Sequence, residues 1–151
     1  MDNSLSDYLR ARQVAPQWRH VLPAFGRALS ANIPAETLRV LLQDTGTAFA
    51  QAVPVAQTES VAGMQDAMNA VWDAQDWGWV RIEDHGDALV LSHHASPLAA
   101  AFGPHAMSWT PAFLEGAYQQ WFRQLGAADT LRVRLHGDID DAGIVTLRFG
   151  Q

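Results

Sequence analysis

The chain has 151 residues, 48% of them hydrophobic and only 17% charged, and its ten basic and sixteen acidic residues give a net charge of −6. A chain of this length suits one domain with a core of its own, and an acidic balance with no basic stripe argues against general nucleic-acid binding. The absence of cysteine excludes disulfides, zinc–thiolate sites and thiol catalysis, while the low charged fraction points to surface covered by other copies or partners.

The opening stretch, MDNSLSDYLRARQV, has no basic start followed by an apolar run, so it does not read as an export signal. No run approaches the roughly 20 apolar residues of a membrane span. The expectation is a cytoplasmic protein without direct membrane insertion. Residues 1–16 read as an N-terminal arm or short helix, 17–76 as a helical part and 77–151 as a hairpin–helix–hairpin part. Trp18, Val21, Leu22, Phe25 and Leu29 recur at helical spacing, with Pro23 near the helix start. Pro34 suits the first turn of the next helix, which places Leu38, Leu41, Leu42, Thr45 and Phe49 on one face and stops at Pro54. Thr58 and Ser60 offer caps for a third helix, whose Val61, Met64, Met68, Val71 and Trp72 form a stripe read as core.

At Trp77 the period changes to two. Val80 and Ile82 share one face, and Trp79, Arg81 and Glu83 share the other. Asp84-His-Gly-Asp is turn chemistry, and Ala88–His94 is the returning strand. Gly103-Pro104 reads as a loop leading to Trp109. Thr110 and Pro111 mark a helix start, and Gly126 marks its stop. A last hairpin sets Leu131, Val133 and Leu135 on one face and Arg132, Arg134 and His136 on the other, and returns over residues 144–149. The order implies an α+β fold, four to five helices on a four-stranded antiparallel sheet made of two hairpins.

Candidate chemistry is sparse. His93 and His94 are strand neighbours and so point to opposite faces, which speaks against a shared metal. The Asp138–Gly143 loop fails the calcium pattern at Ala142 and Phe149. Glu83, Asp84 and Glu115 are carboxylates that no spacing pairs across a cleft. Neither a nucleophile elbow nor a phosphate or dinucleotide loop is present. No catalytic or metal site and no cofactor is expected. Gly78 and Gly116 read as points of close backbone approach, and Glu115 as an acceptor for a neighbouring element. Trp79 belongs either under the preceding helix or at an interface between copies.

Two strings are specific: Trp77-Gly78-Trp79-Val80-Arg81-Ile82, and Trp109 followed after four residues by Leu114-Glu115-Gly116-Ala117-Tyr118-Gln119-Gln120-Trp121. In this order, with a hairpin and a His-containing strand between them, they resemble the D-subunit family of bacterial cellulose synthase over residues 77–148, and more loosely back to Leu38. The resemblance implies a non-catalytic accessory component of cellulose biosynthesis. It implies octameric cylinders built from dimers, together with other cellulose synthase complex proteins as partners. It also implies a role in arranging glucan chains for export or crystallisation, in passageways partly lined by N-terminal segments. The family is often placed in the periplasm, which is the alternative compartment. By chemistry, Tyr8, Arg10 and Arg12 are the candidates for a glucan-facing arm. Two other readings compete. The element order also resembles the vinyl-reductase-like ligand-binding fold, which implies an enclosed apolar pocket, and a cryptic glycan hydrolase would need a carboxylate pair.

Overall fold

The computed structural model describes residues 4–140 and 143–151. The elements are α1 (Ser4–Arg12), α2 (Val21–Asn32), α3 (Ala35–Ala52), α4 (Val61–Ala74), β1 (Trp79–Asp84), β2 (Leu89–His94), α5 (Leu98–Phe102), a 3-10 helix (Pro104–Ser108), α6 (Ala112–Gln124), β3 (Arg132–Leu135) and β4 (Val145–Gly150). Six α-helices pack with one antiparallel sheet of order β1-β2-β4-β3, the α+β class that the sequence implies. The Asp141 and Ala142 positions of the acidic loop lie outside the described residues.

Two details differ from the sequence reading. The stretch read as a loop before Trp109 is helical on both sides of Gly103. That glycine ends α5 at φ +95°, and Pro104 opens the 3-10 turn. Thr110 does not cap α6. Its hydroxyl is buried and donates back to the Ala106 carbonyl at 2.9 Å, the local bond available once the 3-10 turn places that carbonyl beneath it. Ser60 does cap α4, accepting from the Gly63 amide at 2.9 Å.

The inner face of the sheet follows from strand register. Ile82, Leu91, Leu147 and Leu135 form one row, and Val80, His93 and Val145 another. Against these rows pack α4 and α6, bringing Met68, Trp72, Leu114, Tyr118, Trp121 and Phe122 into one core. Trp72 is its centre, stacked on Phe49 at 5.7 Å and on Trp77 at 5.5 Å, with Trp121 edge-on at 4.9 Å. Burial of each such ring stabilises by about 1.5–3 kcal/mol. A satellite core of Leu38, Ala106 and Trp109 joins α2, α3 and the 3-10 turn.

Helix α3 crosses α6 at backbone contact. A β-carbon on Gly116 would strike the Gln43 carbonyl, and one on Gly46 would strike the Phe113 carbonyl and lie 2.7 Å from the Ala117 nitrogen. Gly116 therefore sits in a helix interior because no side chain fits there, as the sequence reading requires. Gly78 is likewise a close approach. Its φ is +81°, and a β-carbon would meet His94 and Ala95 backbone.

Both sheet edges are closed by the same device. On the β1 edge, Asn69 accepts from the Val80 amide (2.7 Å) and donates to its carbonyl (2.8 Å), while Gln65, one turn earlier, accepts from the Ile82 amide (2.8 Å). On the β3 edge, Gln119 accepts from the Val133 amide (2.7 Å) and donates to the Leu131 carbonyl (3.1 Å), while Glu115, one turn earlier, accepts from the Leu135 amide (2.9 Å). A polar i, i+4 pair on α4 or α6 thus takes the amides that an edge strand would present to another chain.

Candidate functional site

The residues singled out by sequence separate into a buried frame and an exposed rim. Trp109, Leu114, Glu115, Gly116, Tyr118 and Trp121 are all buried. Trp109 donates its indole N–H to the Ser30 hydroxyl at 3.1 Å, and Trp121 donates to the Val53 carbonyl at 3.0 Å. These bonds anchor α2 and the segment after α3 to the frame, and satisfy groups whose burial without a partner would cost about 1–3 kcal/mol each.

Glu115 is 6% exposed and binds three elements at once. One carboxylate oxygen accepts from the Arg39 guanidinium at 2.5 Å and from the Gln43 amide at 3.2 Å. The other accepts from the Leu135 amide. A carboxylate so enclosed is held by paired charge and directed donors, and its bonds link α3, α6 and β3.

The second buried constellation was not legible as chemistry. His93 is fully buried, with Nδ1 2.6 Å from the Tyr118 hydroxyl and Nε2 2.7 Å from the Trp77 carbonyl. A carbonyl only accepts, so Nε2 carries the proton and Nδ1 accepts from the Tyr118 O–H. The Tyr118 oxygen then accepts from the Trp72 indole N–H at 3.0 Å. Every proton in the chain Trp72–Tyr118–His93–Trp77 has one assigned place. Burial lowers the His93 pKa to about 4, the Trp77 carbonyl opposes that shift, and His94 adds a small further lowering. Burial also raises the Tyr118 pKa well above its usual value. Both groups are neutral at pH 7.

The rim carries the accessible features. Trp79 is 52% exposed, and its ring lies parallel to that of His94, its cross-strand partner, at 5.0 Å. It neither packs under α4 nor enters the core. Together with Leu9, Arg10, Gln13 and Ile144 it lines a mainly apolar groove of about 380 Å³ beside α1. Of the arm candidates, Arg10 reaches this groove. Tyr8 is exposed, with the Arg12 guanidinium over its ring at 5.4 Å. On α2, Trp18, Val21 and Phe25 are each 52–53% exposed. The i, i+3, i+7 stripe faces outward because α2 presses its Gly26 side onto Phe102 of α5. Leu41 of α3 is also exposed, whereas Leu38 and Leu42 of the same predicted face turn inward. A second cleft, of about 560 Å³, runs along β3 between α3 and α6 and is walled by Arg39, Gln43, Gln119, Arg123, Arg132 and Arg134. Among the described residues no group of three or more His, Cys, Asp and Glu is placed to hold a metal, and no helix is long and apolar enough to cross a membrane.

The sequence strings thus mark the frame, and the residues that sequence reasoning missed (Arg39, Gln43 and Gly46) are the partners that complete it. A glycine inside each of two amphipathic helices was the available signal for the α3–α6 crossing. Comparison with known proteins gives one family-model match, the cellulose synthase D-subunit, over residues 4–150. No curated protein matches the chain.

Proposed function

The chain belongs to the cellulose synthase D-subunit family, and from that premise we propose that it is a non-catalytic accessory component of the bacterial cellulose synthase complex. In this reading it assembles with copies of itself into a ring-like octamer that organises glucan chains during export or crystallisation. Membership ties the protein to cellulose synthesis; the assembly and its mode of action are our reading. The observation that carries it is the outward stripe Trp18, Val21 and Phe25, with Leu5, Tyr8 and Leu9 of α1 and Val40 and Leu41 of α3 also exposed. So many large apolar groups in water are what an interface between copies covers. Both sheet edges being taken, copies meet through helix faces. The half-exposed Trp79–His94 platform next to Arg10 supports glucan contact, since a flat ring face suits the apolar face of a sugar.

We place this assembly on the cytoplasmic side. Support comes from Ser4–Arg12, a charged helix carrying Asp7, Arg10 and Arg12, which is unlike the apolar run of an export signal. Fractionation beside a periplasmic marker checks it, and co-fractionation with that marker moves the site of action to the periplasm.

Native mass spectrometry at micromolar concentration tests the assembly. An octamer, with dimers as the intermediate, is expected. The double variant Val21→Glu, Phe25→Glu is expected to shift the population to smaller species while its far-ultraviolet circular dichroism stays unchanged. A stable wild-type monomer overturns the proposal. Release of glucose or cellobiose from cello-oligosaccharides by the purified protein overturns the non-catalytic part.

A further inference from the structure

A second surface is independent of the apolar stripe. Four of the ten arginines of this acidic chain, Arg39, Arg123, Arg132 and Arg134, wall the cleft along β3. Arg39 is committed to Glu115. Arg123 has only a 4.0 Å contact with the nearly fully exposed Asp129. Among the described residues Arg132 and Arg134 have no carboxylate partner within ion-pair distance, and Asp44 on the α3 side is the one other acid of the cleft wall. Arg134 is also the direct cross-strand partner of Arg148. Like charges placed opposite one another across a sheet repel, and among the described residues the only carboxylate that meets Arg148 is the exposed Asp87 at 3.4 Å. The arrangement costs stability in the isolated chain and is relieved by negative charge arriving from outside.

We propose that this cleft docks an extended, carboxylate-rich segment of another protein. The spacing selects the ligand class. Arg132 and Arg134 lie two residues apart on one strand, about 7 Å, and Arg123 faces them from α6. Acidic side chains on alternate residues of an extended peptide repeat at the same period. A phosphate group calls instead for donors converging on one point, as at a helix N-terminus, and the start of α6 is buried in the core. The segment binds through side chains and not as an added strand, because Gln119 and Glu115 already hold the Val133 and Leu135 amides. The long, flat guanidinium forks suit carboxylates, and such contacts set specificity and on-rate.

The test uses the full chain in its native assembly and a fluorescein-labelled peptide of alternating Glu and Ser, read by anisotropy. Saturable binding is expected that weakens with added salt and falls at least about tenfold in Arg132→Glu, Arg134→Glu. Arg81→Glu, at the opposite edge strand, is expected to bind as wild type. Native mass spectrometry of each variant accompanies the titration. Loss of binding in an unchanged assembly supports the proposal and leaves the assembly reading untouched. Equal binding by the double variant, equal binding of a Lys–Ser peptide, or full displacement by equimolar pyrophosphate overturns it. Collapse of the assembly in the double variant also overturns it, since the arginines then serve contacts between copies.

Discussion

Gly46 and Gly116 each occupy the place where the opposite helix's backbone touches their own, so that α3 and α6 cross with no side chain between them at these two points. An added methyl at either position meets a backbone carbonyl, which cannot rotate away. Gly46→Ala and Gly116→Ala are each expected to lose about 1–3 kcal/mol, even after the gain of about 1 kcal/mol in helix propensity. Urea denaturation measures it. Because both act on one crossing, the double variant is expected to lose less than the sum of the two. An Ala variant as stable as wild type would show that the helices can move apart at no cost.

Tyr118→Phe tests the buried proton chain. It keeps the ring and removes the oxygen that accepts from Trp72 and donates to His93. Two buried groups lose a partner, for an expected destabilisation of about 2–4 kcal/mol. Chemical denaturation with an unchanged m-value is the readout, with tryptophan fluorescence reporting the altered indole.

Stability is expected to fall with acidity through His93. Its folded pKa is depressed from 6.5 to about 4, so between those values the unfolded chain binds a proton that the folded chain refuses. Stability therefore rises with pH across this window, and the contribution is fully present above pH 6.5 and lost as pH falls toward 4. The difference in pKa corresponds to about 3 kcal/mol. Unfolding free energies measured between pH 7 and pH 4 check the slope. In His93→Gln the part due to this residue is expected to vanish, and an unchanged slope would assign the loss to the carboxylates.

Removal of an edge clamp is expected to expose a strand. Asn69→Ala frees the Val80 amide and carbonyl, and Gln119→Ala frees the Val133 amide and Leu131 carbonyl. Each is expected to cost about 1–2 kcal/mol where water reaches the freed groups. Each is also expected to increase association through strand pairing, followed by light scattering and thioflavin fluorescence on mild warming. Variants that stay as dispersed as wild type would show that neighbouring bulk, and not the side-chain amides, guards the edges.

Much of the fold is legible from residue spacing. The change from helical to alternating period at Trp77, the Asp84–Asp87 turn and the Met68–Trp72 stripe all fall where the structure places β1, its hairpin and the core face of α4. Local signals failed where a longer contact overrode them. Thr110 carries the chemistry of a cap, yet the 3-10 turn before it offers a nearer acceptor. Trp18, Val21 and Phe25 have the spacing of a core stripe, yet Gly26 is the side that α2 buries. Periodicity records that a helix has an apolar face; it does not record whether the cover belongs to the same chain.

By itself the sequence determined the α+β class, the absence of thiol chemistry, the two signature strings and hence the family resemblance, because these depend on composition and on neighbours a few residues apart. Only the tertiary structure decided what those residues do. Glu115 is a clamp because Arg39, 76 positions away, and the Leu135 amide come to the same carboxylate. His93 is neutral because Trp77 and Tyr118 hold its two nitrogens out of water. Hydrogen bonding and desolvation act over a few ångströms of space, and the fold, not the order of residues, sets which groups share that space.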